Sequence, residues 1–154
     1  MEEYKSYKYV FVEPGKPAEI RVTDVDSLIK MLIGENKQDL GIFTYKDSII
    51  LYNTCAGTDW LYDYPMNRFL DLDNKILVIN GSFAVIGKDG DNYSDLTDDK
   101  VLEFIKDFAF PHRFIITSSE LLIFEVRSCT EENLIQRFDL DSIASEEGED
   151  DGRD

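Results

Sequence analysis

Between Val25 and Ile33 the apolar residues fall at Val25, Leu28, Ile29, Leu32 and Ile33. That is the i, i+3, i+4, i+7, i+8 spacing of a helix with one buried face, so this segment must lie on an apolar surface supplied by the rest of the chain. Thr23 or Asp24 can cap its start, and Gly34 suits its end, where a residue able to enter the left-handed region is favoured. A second stretch repeats the pattern at Val101, Phe104, Ile105 and Phe108, with Thr97 as its cap and Pro111 just beyond it.

The surface those helices need is supplied by short β-like runs. Lys8 to Val12 and Ala18 to Val22 flank the turn Glu13-Pro14-Gly15-Lys16-Pro17. Leu40 to Thr44 and Ser48 to Asn53 flank Tyr45-Lys46-Asp47. Lys75 to Asn80 and Ser82 to Gly87 flank Asn80-Gly81, which reads as a hairpin turn or as a Gly bulge within one strand. Lys88 to Ser94 reads as a polar turn. Arg113 to Thr117 and Leu121 to Val126 read as a hairpin turning at Ser118-Ser119-Glu120, and Asn133 to Leu140 as a strand or a short helix. The order of segments predicts an α+β fold, a mainly antiparallel sheet with two helices packed on it and a C-terminal hairpin extension. The expected organisation is a core over 1–112, a β-rich extension over 113–142 packed on the same domain, and a disordered acidic tail over 143–154.

Charge narrows the partners. The chain carries a formal −16, of which the residues after Ser145 hold −5, leaving −11 for the body. A body this acidic repels phosphate, so nucleic acid and anionic membrane are poor direct partners, while a basic or nucleic-acid-binding protein is attracted. The same acidity also serves solubility. No apolar run approaches the roughly 20 residues of a membrane helix. The opening Met1-Glu2-Glu3-Tyr4-Lys5 lacks the pattern of a secretory signal, which points to a cytoplasmic protein with reduced thiols.

Catalytic and metal chemistry finds little foothold. Cys55 and Cys129 form neither a disulfide framework nor a Cys-rich metal site. The single His112 cannot assemble a zinc site with its sequence neighbours, and Cys55 has no adjacent base to activate it. Asp89-Gly90-Asp91-Asn92 with Asp95 and Asp98 departs from the twelve-residue calcium-loop spacing. No catalytic residue, metal or cofactor is therefore assigned. Two binding candidates remain. Asp99, Glu103 and Asp107 stand at i, i+4, i+8 on the second helix, a carboxylate row repeating about every 6 Å that imitates a line of phosphates; Lys100 and Lys106 flank it, and a solvated outer helix face carries the same pattern. The long irregular stretch Thr54 to Arg68 holds Trp60, Tyr64, Asn67 and Arg68. It is a candidate ligand loop, or a cover for a sheet edge. Arg68 offers a planar donor fork to carboxylate or phosphate, and Asn67 both a donor and an acceptor. The pair also suits a structural role, in an ion pair or in tying the loop to the sheet.

Several segments taken together carry a resemblance: Val12-Glu13-Pro14-Gly15-Lys16-Pro17, Tyr64-Pro65-Met66-Asn67-Arg68, Ile79-Asn80-Gly81-Ser82-Phe83-Ala84-Val85-Ile86-Gly87, then Tyr93, Leu96-Thr97-Asp98-Asp99 and Pro111. Over roughly residues 8 to 112 the chain resembles an uncharacterised small domain family of phages, plasmids and conjugative elements of Gram-positive gut bacteria. The resemblance implies a mobile-element setting and no established activity. Family members commonly end the strand before the long loop in an Asn-Glu-x-Gly-like turn, where this chain has Asn53-Thr54-Cys55-Ala56-Gly57 without the Glu. The expected function is that of an acidic accessory protein of a mobile element or phage. It would act by protein–protein binding, as an anti-defence inhibitor or nucleic-acid mimic that blocks a basic host protein. The alternative is a small-ligand or nucleotide-binding module using the loop 54–68.

Overall fold

The structure is a computed structural model that describes residues 5–34, 40–54, 66–72, 75–128 and 130–139. It divides into two compact units, Met1–Pro111 and His112–Asp154.

In the first unit, β1 (Ser6–Val12), β2 (Glu19–Asp24), β3 (Leu40–Tyr45), β4 (Ser48–Asn53) and β7 (Phe83–Asp89) form one antiparallel sheet in the order β2-β1-β7-β4-β3. The short β8 (Asn92–Ser94) folds back on β7. A separate hairpin pairs β5 (Met66–Leu72) with β6 (Lys75–Asn80).

Alternation along the strands divides the core. Tyr9, Phe11, Ile49, Leu51, Ala84 and Ile86 point to one face, covered by α1 (Val25–Ile33) through Leu28, Leu32 and Ile33. Val10, Val12, Ile50, Phe83 and Val85 point to the other, covered by α2 (Asp98–Asp107) through Val101 and Phe104, with Leu96 and Phe108 at its ends and Leu70 and Ile79 from the β5–β6 hairpin. Each large apolar side chain so buried is worth roughly 1.5–3 kcal/mol. The central strands are apolar on both faces because both faces are covered, which explains the unbroken run Phe83-Ala84-Val85-Ile86.

The helices begin and end where their caps stand. The Asp24 side chain accepts from Ser27 N, Thr97 accepts from Lys100 N, and Gly34 returns its N–H to Lys30 O at φ 65°. The α+β class, the antiparallel sheets and the C-terminal hairpin match the sequence expectation.

Asn80-Gly81 is a correction. The hairpin and bulge readings both fail, since β6 pairs with β5 while β7 enters the other sheet between β1 and β4. Both lateral edges of β7 are already taken, so β6 has no ladder to join there. Gly81, at φ 78°, turns the chain from one sheet to the other. β5 is a second correction, because the chain is already a strand from Met66, inside the stretch read as irregular through Arg68. Asn67 is the extra residue of a β-bulge, with Met66 opposite Asn80 and Arg68 opposite Ile79, and this interrupts the two-residue period. The polar turn expected over 88–94 contains β8.

The second unit is a three-stranded antiparallel sheet, β9 (His112–Ile116), β10 (Glu120–Ser128) and β11 (Glu131–Asp139), in the order β11-β10-β9. The segment 133–140 is therefore strand over its described residues. Arg113 stacks on Phe124 and grips both carboxylate oxygens of Glu132 at 2.6 Å. The acidic tail, Cys55 and Cys129 lie outside the described residues.

Candidate functional site

Arg68 is fully buried, with no exposed surface, in a body that is strongly acidic. Its partners among the described residues are nonetheless all neutral oxygens. Nη1 donates to Asn67 Oδ1 at 2.8 Å and to Asn67 O at 3.2 Å; Nη2 donates to Lys16 O at 2.6 Å and to Phe108 O at 2.9 Å. Phe108 closes the C-terminal end of α2, where the helix dipole is negative, so the cation sits where the field favours it. Burial pushes the guanidinium down to about 10, and it stays protonated at neutral pH.

Asn67 completes the arrangement. Its Nδ2 donates to Val12 O at 3.0 Å and to Gly81 O at 2.9 Å. The bulge turns Asn67 and Arg68 inward together. They tie the end of β1, the turn after it, the corner at Gly81 and the end of α2 to β5. Arg68 Nε is buried without a partner, while both terminal nitrogens are spent on carbonyl and amide oxygens. The planar fork is a brace in this structure, with its donors turned toward the protein's own backbone. Trp60 and Tyr64, the other residues of the candidate ligand loop, lie outside the described residues.

The α2 row is divided electrostatically. Lys46, at the β3–β4 turn, places Nζ 2.8 Å from Asp107 Oδ2 and 3.5 Å from Glu103 Oε2. Lys100 Nζ lies 3.3 Å from Glu103 Oε1 and donates to Lys46 O at 2.8 Å. The hydrogen bond to Asp107 is the main cause that raises Lys46 above its ordinary value. Exposed pairs of this kind stabilise by about 0–1 kcal/mol each. They do cancel the charge of Glu103 and Asp107 locally. Asp99 is exposed, with no ion pair among the described residues.

A further group of carboxylates precedes and opens α2. Asp89, Asp91, Asp95, Asp98 and Asp99 are all exposed; Asp89 ends β7, Asp91 stands in the β7–β8 turn, Asp95 leads into the helix, and Asp98 and Asp99 are its first two residues. Among the described residues Lys8 reaches two of them: its Nζ is 3.1 Å from Asp98 Oδ1, and its backbone N–H donates to Asp95 Oδ1 at 2.8 Å. Lys88 is exposed on β7 nearby. Asp89, Asp91, Asp95 and Asp99 have no ion pair among the described residues. Comparison with protein-family models, with curated proteins and with solved structures finds no match.

The sequence singles out the row 99/103/107 by helical spacing. The contributions of Asp89, Asp91 and Asp95 escape that pattern, because they come from a turn and a connecting segment. His112 opens β9 in the second unit, half-buried, with Phe114 against its ring at 6.2 Å. Among the described residues no group of three His, Cys, Asp or Glu side chains could hold a metal ion. No helix there is long and apolar enough to cross a membrane.

Proposed function

We propose that this chain is an acidic accessory protein of a phage or other mobile element. It acts in the bacterial host cytoplasm by binding a basic, nucleic-acid-binding host protein, in the manner of a nucleic-acid mimic. One observation supports this reading above the others: Asp89, Asp91, Asp98 and Asp99 are all exposed over a short stretch of the first unit, and among the described residues only Asp98 of the four has an ion pair. Such a surface attracts a phosphate-binding protein and raises its association rate, and salt weakens both effects. The paired Glu103 and Asp107 contribute less than Asp99, because Lys46 and Lys100 already neutralise them. The small-ligand reading has weaker support, since the terminal donors of Arg68 face Asn67, Lys16 and Phe108.

The test is affinity capture from host lysate at low and high salt. It compares the wild type with an Asp91→Asn/Asp98→Asn/Asp99→Asn variant and with a chain truncated at Ser145. The expected result is a basic protein retained at low salt by the wild type and by the truncated chain, and lost from the Asn variant. Capture indifferent to both salt and these substitutions would sink the proposal.

A further inference from the structure

Met31 stands in the last turn of α1, off the face that Leu28, Leu32 and Ile33 turn to the sheet, and it is 48% exposed. Arg21 reaches it from β2, the strand beside β1. It stands opposite Tyr9 in the ladder, which puts its side chain on the face that α1 covers. Arg21 Nη1 donates to Met31 Sδ at 3.4 Å. The rest of the surroundings hold the guanidinium in that position. It lies over the Phe11 ring, 4.0 Å from the centroid, while Nε donates to Glu19 Oε2 and Nη2 is 3.9 Å from Glu13 Oε1.

A thioether is a weak acceptor, so a guanidinium donor aimed at it gains little. One oxidation step changes that. A methionine sulfoxide carries a polar oxygen on the same sulfur, and a charged donor bonds strongly to such an oxygen. In a core, the added polarity breaks the packing. At Met31 about half of the residue is already in water and a donor already faces the sulfur, so the product gains a partner without opening the core. Met66, the other methionine among the described residues, is half-buried and sits in the β5 ladder opposite Asn80.

We propose that Met31 is a site of reversible oxidation and that Arg21 holds the sulfoxide. The reagent is a peroxide. The Met31 sulfur attacks one peroxide oxygen, and the S–O bond forms as the O–O bond breaks. Sulfur gives up two electrons, the peroxide takes them, and the departing hydroxide removes the remaining proton and leaves as water. The oxidised side chain then accepts from Arg21 and fastens the last turn of α1 to β2. A methionine sulfoxide reductase restores the thioether. The site is independent of the acidic surface and of its partner.

The test exposes the full chain to hydrogen peroxide and then restores the thiols of Cys55 and Cys129 with dithiothreitol. Peptide mass spectrometry follows each methionine, and Tm follows the fold. Met31 is expected to oxidise about threefold faster than Met66, or more. The oxidised wild type should melt no lower than the reduced protein. Arg21→Thr suits a strand but cannot reach the sulfur, and its oxidised form should melt about 3 °C below its own reduced form. Adding Met31→Leu to Arg21→Thr should abolish that fall. In the wild type, the guanidinium N–H resonances of Arg21 should move on oxidation and return after treatment with methionine sulfoxide reductases. Faster oxidation of Met66 would overturn the proposal, as would an equal fall in Tm in the wild type and Arg21→Thr. So would a fall that persists without Met31, or Arg21 resonances that stay in place.

Discussion

Arg68 donates from Nη2 to the carbonyl of Phe108, 2.9 Å away, and so fixes the end of α2 to β5 across the core. The same nitrogen holds Lys16 O at 2.6 Å, so one guanidinium anchors two segments that are far apart in sequence. Replacing it with Met removes the cost of burying a cation but leaves these carbonyls and Asn67 Oδ1 without their donors. Orphaned buried acceptors cost more than the relief returns, so Arg68→Met is expected to lose about 2 kcal/mol. Lys offers a single ammonium and no fork, and Arg68→Lys should lose a similar amount. Urea unfolding measures both. A midpoint unchanged in either variant would mean that the carbonyls find other partners.

The β3–β4 turn carries its strain at two non-glycine residues, Lys46 at φ 48° and Asp47 at φ 63°. Two-residue hairpins of this kind favour Gly at the second position, since it reaches positive φ without a clash. Lys46 is committed to Asp107 and is best left in place. Asp47 is exposed. Asp47→Gly is therefore expected to stabilise the first unit by about 0.5–1 kcal/mol, read as a higher Tm. A lower Tm would show that Asp47 makes a compensating contact in solution.

These residues also mark how far the sequence could be read. α1 and α2 were legible with their caps, because the helical period and the residues Asp24, Gly34 and Thr97 act locally. The strand order was not. Asn80-Gly81 is a local hairpin signal, and it is overruled because β7 already has neighbours on both sides. A structural role for Arg68 was among the readings of the sequence, but its partners were hidden for a related reason. Its partners are backbone carbonyls, which every sequence supplies and none advertises. Lys46 meets Asp107 across 61 positions of chain, a contact that no spacing rule reports. The carboxylate row on α2 was visible, while its partial neutralisation was a fact of tertiary structure.

At the start of α1, Asp24 accepts hydrogen bonds from Ser27 Oγ at 2.8 Å and from Ser27 N at 3.0 Å. The Ser27 side chain and then its backbone hold the carboxyl below its ordinary value. A depressed folded value means that the contribution is fully present above the unfolded value of about 4 and is lost as pH falls through the folded one. Asp24→Asn keeps an acceptor but not the charge that complements the helix dipole. Its Tm should lie below that of the wild type at neutral pH and converge with it in acid. Asp24→Ala should lie below both at neutral pH. Thermal melts across the acid range test this, and a difference between wild type and Asn variant that does not change with pH would rule out the titration.

At Gly87, β7 and the segment entering α2 approach closely. A Cβ placed there would meet Ser94 O and Asp95 O at 2.5 Å, and Ser94 Oγ at 2.6 Å. Two of those atoms are backbone and cannot rotate away. The residues they belong to are themselves anchored, since Asp95 Oδ1 accepts from Lys8 N and Leu96 N–H donates to Lys8 O at 3.0 Å. Relieving the clash would therefore pull the start of α2 off β1, and Gly87→Ala is expected to cost about 2–3 kcal/mol. Gly90, three residues on, provides the contrast. It has φ 63° and open space around its Cβ position, so Gly90→Ala should cost only the left-handed penalty of about 1 kcal/mol. Chemical denaturation of the two variants side by side decides the point: a Gly87→Ala loss no larger than that of Gly90→Ala would show that the segment entering α2 can shift without loss of its anchors.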